Sequence, residues 1–108
     1  VPLKPSAGSS RKTRMREKLI EQNLVQAVRQ MGGLAPKFIS PGWPGVPDRL
    51  ILLPSGRLAF VEVKAPGKTL RPLQVKRKGQ LESLGFQVYV IDRPEQIGGV
   101  LDEIARKL

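Results

Sequence analysis

Apolar residues early in the chain recur at helical spacing. Ile20, Leu24, Ala27, Val28 and Met31 share one stripe that Gly32-Gly33 ends, which predicts an amphipathic helix over residues 13–31. Residues 1–12 carry Pro, Ser, Gly and basic side chains without an apolar period and read as a flexible basic arm. Residues 35–40 are a short strand candidate, and the Pro- and Gly-rich stretch 41–47 is a shaped loop. Two β-rich apolar runs, 50–53 and 58–63, flank Pro54-Ser55-Gly56-Arg57 and predict an antiparallel hairpin. Residues 71–84 show a narrow apolar stripe closed by Gly85, residues 86–91 alternate as a strand, and 94–108 form a closing helix. The order α-β-β-β-α-β-α places a helix between two strands, so the last strand is expected to run parallel to an earlier one. The expected fold class is α/β, a mixed β-sheet flanked by helices, in one domain over residues 13–108.

Polar residues interrupt this pattern where the hairpin opens. Asp48 stands at the mouth of the first apolar run, and Glu62 and Lys64 lie within and just after the second. A turn centred near Ser55-Gly56 brings Asp48 opposite about Val63 and next to Glu62, with Cβ atoms roughly 5 to 8 Å apart. Phe60, Glu62 and Lys64 share one face of their strand, and Ala59, Val61 and Val63 share the other. Two carboxylates this close repel each other, and a divalent cation would supply the missing counter-charge. With Lys64 beside it, such a cation suits metal-assisted hydrolysis of a phosphodiester. In the first helix Glu17 and Glu21 lie on or beside the buried stripe, and Glu21, the deeper of the two, is a candidate third carboxylate.

Composition narrows the chemistry further. The chain has 108 residues with no His and no Cys, which excludes imidazole catalysis, thiolate zinc sites and disulfides, and leaves oxygen ligands suited to Mg2+ or Mn2+. No apolar run is long enough for a membrane span, and the N-terminus does not resemble a secretory signal, so a cytoplasmic protein is expected. Nineteen basic residues against nine acidic ones give a net charge of +10, which favours a polyanionic partner, nucleic acid first. Lys64, Lys68, Arg71, Lys76, Arg77 and Lys78 form an acid-free basic run from the acids along the second helix, a candidate track for a phosphate backbone. Arg11, Lys12, Arg14 and Arg16 could add contacts from the arm. Trp43 either stacks on an unpaired base or staples its loop to the body. With few aromatics, the chain is expected to read DNA shape through the backbone rather than sequence.

Gly45-Val46-Pro47-Asp48 followed by Phe60-Val61-Glu62-Val63-Lys64 resembles the signature of the PD-(D/E)XK nuclease superfamily. Together with Gly32-Gly33, Lys37-Phe38, Lys64 to Lys68, Leu73-Gln74 and Leu84-Gly85-Phe86, it resembles the virus-type replication-repair nuclease domain, VRR-NUC, in its small phage-type form. The resemblance covers nearly everything from Glu17 to about Glu95. It implies a restriction-endonuclease-like αβββαβ core and a Mg2+- or Mn2+-dependent deoxyribonuclease. Carried over by position, Asp48, Glu62, the Val63 carbonyl and Glu21 would hold the metal, with Glu17 the fallback for Glu21. Lys64 would be the catalytic lysine, and Gln74 would lie near the active site. The family further implies a structure-selective endonuclease, a Holliday-junction resolvase-like homodimer acting on branched DNA in a bacterial host cell. A flap or nicking repair nuclease, a non-catalytic DNA-binding module and a basic protein-interaction domain are the competing readings.

Overall fold

The computed structural model describes residues 7–106 of the chain. Its elements are α1 (Ala7–Gln30), β1 (Arg49–Leu53), β2 (Arg57–Val63), α2 (Pro72–Ser83), β3 (Val88–Ile91) and α3 (Ile97–Arg106), with single 3-10 turns at Pro54–Gly56 and Pro94–Gln96. The sheet order is β1-β2-β3, antiparallel between the first pair and parallel between the second. The mixed sheet and the crossover through α2 follow the expectation.

Three boundaries differ from it. Helix α1 begins at Ala7, so helix replaces the second half of the arm expected over residues 1–12, and residues 1–6 lie outside the described residues. Extending an established helix costs far less than nucleating one, so a run of helix-tolerant residues ahead of Thr13 joins it. The strand expected at residues 35–40 is reduced to two isolated bridges, Leu34 with Leu52 and Lys37 with Arg49. Pro36 has no N–H for a continuous ladder; its carbonyl still accepts from Leu50 at 3.0 Å. At the other end α3 starts at Ile97 after the turn at Pro94–Gln96, three residues later than expected, and residues 107–108 lie outside the described residues.

The two faces of the sheet bury different partners. Ile51, Leu53, Ala59, Val61, Val63 and Ile91 form one core with Ile20, Leu24 and Val28 of α1 and Ile97, Leu101 and Ile104 of α3. On the opposite face Phe60 and Val88 pack with Leu81 of α2, with Phe38, Trp43 and Leu50 against them. Phe60 lies 5.7 Å from the Phe38 ring and meets Phe86 edge-on at 5.8 Å. Even-numbered residues of β2 therefore face α2, and odd-numbered ones face α1 and α3.

Candidate active site

The hairpin turn occupies three residues, with Ser55 at φ 68° and Gly56 at φ 73°, and Leu53 pairs with Arg57 across it. Arg49 then pairs with Val61, and one further step puts Asp48 directly opposite Glu62, a residue away from the expected register. Both side chains point to the α2 face. The Asp48 N–H donates to Glu62 Oε1 at 3.2 Å, and the Val63 N–H donates to Asp48 Oδ2 at 3.3 Å, so each acid is held by the other strand's backbone.

Pro47 fixes the end of this ladder. Continuing the register, Val63 faces Pro47, which has no N–H, so the Val63 carbonyl receives no donor from that residue. Gln74 on α2 donates from Nε2 to Glu62 Oε2 at 2.9 Å, while its Oε1 accepts the Arg71 N–H at 2.9 Å. Lys64 Nζ stands 3.5 Å from Glu62 Oε2. Asp48, Glu62, Lys64 and Gln74 thus line one cavity of about 380 Å3, whose rim adds Lys68, Arg71 and Glu17.

Burial shapes the electrostatics. Glu62 is only 4% exposed, and its carboxyl is pushed from 4.5 up to about 7, first by desolvation and then by the Asp48 charge, against the pull of Lys64. Desolvation also raises Asp48, opposed by the Val63 N–H and reinforced by the Glu21 charge. Glu17 is raised by burial, then by Asp48 and Glu21. One ammonium does not compensate this negative charge. Two carboxylates and a main-chain carbonyl are the hard oxygen donors a small dication takes. Among the described residues no three acids converge into a metal-binding group, so the donor set centres on the Asp48–Glu62 pair.

No family model matches the chain. A protein of Acyrthosiphon pisum secondary endosymbiont phage 1, named "Putative nuclease p44", is 53% identical over 78 residues, covering 72% of this chain and 84% of its own length. A solved structure described as a VRR_NUC domain superposes with a TM-score of 0.76 at 26% identity, covering 81% of this chain and 95% of that one. The chain belongs to the VRR-NUC nuclease family.

Two helical acids in this VRR-NUC domain part company. Arg49, one position after Asp48, faces α1, where NH2 meets Glu21 Oε2 at 3.0 Å and NH1 donates to the Ala35 carbonyl at 2.8 Å. Glu21 is therefore engaged in an ion pair and lines the neighbouring cavity, while its charge still acts on Asp48 and Glu17. Glu17, one turn earlier, reaches past the end of the sheet to the rim of the site. The Arg49 clamp carried no signal in the apolar pattern, although strand alternation from Asp48 puts it on the α1 face. Arg49→Lys loses the two-point grip and leaves Glu21 half-satisfied; a drop of about 1 to 3 kcal/mol in unfolding free energy is expected, read by urea denaturation.

The expected basic track also divides. Lys68 and Arg71 line the site, and Lys76 is exposed. Arg77 is turned inward: its Nε donates to the Pro44 carbonyl at 2.7 Å, NH1 donates to Gln80 Oε1, and the guanidinium covers the Trp43 ring at 5.0 Å. Lys78 pairs with Glu82 one turn on. Trp43, packed against the Phe60 cluster, is a staple for its loop. Gly45 has φ 87°, and a Cβ there would stand 2.7 Å from Leu73 Cγ, so glycine lets the loop before Asp48 close on α2. Among the described residues no helix is long and apolar enough to cross a membrane.

Proposed function

We propose that this VRR-NUC domain is a Mg2+- or Mn2+-dependent DNA endonuclease acting on branched structures as a homodimer, in the manner of a Holliday-junction resolvase. The supporting observation is the convergence of Asp48, Glu62 and Lys64 on one cavity whose rim carries Lys68 and Arg71. Asp48, Glu62 and the Val63 carbonyl are the residues that would hold the cation. When bound, the metal supplies positive charge against the phosphoryl oxygens and acidifies water.

The remaining roles fall to the chain. Lys64 donates to a non-bridging phosphate oxygen as charge builds on it. Gln74 fixes the Glu62 rotamer, and Lys68 and Arg71 hold the neighbouring phosphates. Glu17 at the rim is the acid available to take the proton leaving the attacking water. Paired nicks on two strands need two active sites, which a two-fold dimer supplies. The phage relative supports action in a bacterial cytoplasm.

The test incubates labelled four-way junction, flap and linear duplex with the protein and Mg2+, Mn2+ or chelator, alongside sedimentation of the free protein. Metal-dependent paired nicking of the junction by a dimer is expected. Preference for the flap makes it a flap nuclease, and no metal-dependent cleavage of any substrate sinks the enzyme reading. Lys64→Ala should cut the rate by at least roughly a hundredfold while circular dichroism stays unchanged. Wild-type cleavage by that variant removes the lysine from the mechanism.

A further inference from the structure

A second and larger cavity, of about 840 Å3, lies between α1 and the β1 side of the fold, and Glu17 lines both it and the catalytic one. Its α1 wall extends from Arg14 to Arg29, about 22 Å at 1.5 Å per residue. Lys37 and Arg49 line it from the β1 side. Arg49 is neutralised by Glu21. Arg14, Lys18, Arg29 and Lys37 are exposed and form no ion pair among the described residues. On α2, by contrast, Arg77 and Lys78 are already engaged within the fold. The unspent positive charge thus lies mainly along α1, with Lys76 left on the helix where the sequence run suggested it.

We propose that this groove binds the phosphate backbone of the DNA arm flanking the scissile bond, led out of the active site past Glu17 and gripped by Arg14, Lys18, Arg29 and Lys37. The proposal rests on the nuclease reading of the site and adds the direction in which the substrate leaves it. Measured along the helix axis, a 22 Å wall spans the rise of about six nucleotides of one duplex strand at 3.4 Å each. Such contacts are salt-sensitive and indifferent to sequence.

The test compares wild type, the double variant Arg29→Gln/Lys37→Gln and a charge-matched control, Arg93→Gln/Arg106→Gln, none of whose side chains lines the catalytic cavity. Binding of a labelled junction with duplex arms, and of one with single-stranded arms, is followed by fluorescence anisotropy in chelator from 50 to 300 mM salt. For the groove variant the slope of log K against log salt should shrink by about 1.8 with duplex arms, or about 1.4 if the groove takes single strands. Its Kd near 150 mM salt should weaken on the order of tenfold to thirtyfold. The control should keep the wild-type slope. Equal behaviour of the two variants, whether both unchanged or both weakened, overturns the groove. Failure of the groove leaves wild-type binding and metal-dependent cleavage intact; failure of the nuclease reading removes cleavage from the wild type itself. A wild type that binds no DNA overturns both.

Discussion

Asp48→Asn abolishes cleavage, leaving a rate at least roughly a thousandfold below wild type, and at the same time raises the melting temperature of the metal-free protein at pH 8. The asparagine keeps an oxygen for the Val63 N–H, which Asp48 accepts at 3.3 Å, and removes only the charge. That charge and burial together hold Glu62 at about 7 instead of 4.5. Because the folded state binds the Glu62 proton more tightly than the unfolded chain does, stability is highest below about pH 4.5 and declines as pH rises toward 7. Above 7 the full penalty is present, about 3 kcal/mol at most for the whole shift. Desolvation is the larger cause, so Asp48 accounts for on the order of 1 kcal/mol, or about 4 to 8 °C in a domain this small. Melts in chelator at pH 5 and pH 8 check this: the gain should be clear at pH 8 and shrink at pH 5. Added Mg2+ should raise the wild-type melting temperature more than the variant's. A variant that is inactive yet no more stable at pH 8 would show that the two carboxylates store no repulsion.

Gly33→Ala is expected to be the most damaging substitution of a single hydrogen. A Cβ there would stand 2.3 Å from the Leu52 carbonyl oxygen, 2.9 Å from Leu53 Cδ2 and 3.1 Å from Val28 Cγ1. The Leu52 oxygen already accepts the Leu34 N–H at 2.9 Å, so it cannot yield without breaking the bridge that ties segment 34–38 to β1. Overpacking against backbone costs about 3 kcal/mol, which here is a fall of more than 10 °C in Tm. Cleavage should suffer too, because the same segment holds Asp48 in place through the Phe38 N–H, which donates to the Asp48 carbonyl at 2.7 Å. Gly42→Ala, where a Cβ meets nothing within 4 Å, should melt within a degree or two of wild type. Similar melting of the two variants would mean that the approach of α1's end to β1 is loose.

Local periodicity carried the fold a long way. Period-two alternation in β2 placed Glu62 and Lys64 on one face, and the helix between two strands foretold the parallel pair, both as found. The one-residue slip in the hairpin arose because its turn has three residues centred on Ser55, a non-glycine residue at φ 68°, where the sequence suggested a centre on the Ser55-Gly56 bond. Glu21 stands out as the helical acid for its depth in an apolar stripe, a measure that does not see its partner Arg49, whose reach across to α1 is a tertiary matter. Likewise Arg77 read as a free cation until the fold put it over Trp43, 34 positions away along the chain. Side chains whose role is set by a partner on another element leave little trace in local spacing.

Gln74 has a consequence for how the protein folds. The Asp48–Glu62 hairpin is local and can pair early, whereas α2 reaches it only as the crossover that joins β2 to β3 in parallel. The glutamine that holds Glu62, and much of the cover that buries it, therefore arrive with the parallel crossover, a less local step than the hairpin. A chain caught midway would own the acids without the dry, braced setting that makes them reactive, so competence to cut appears only with the finished fold.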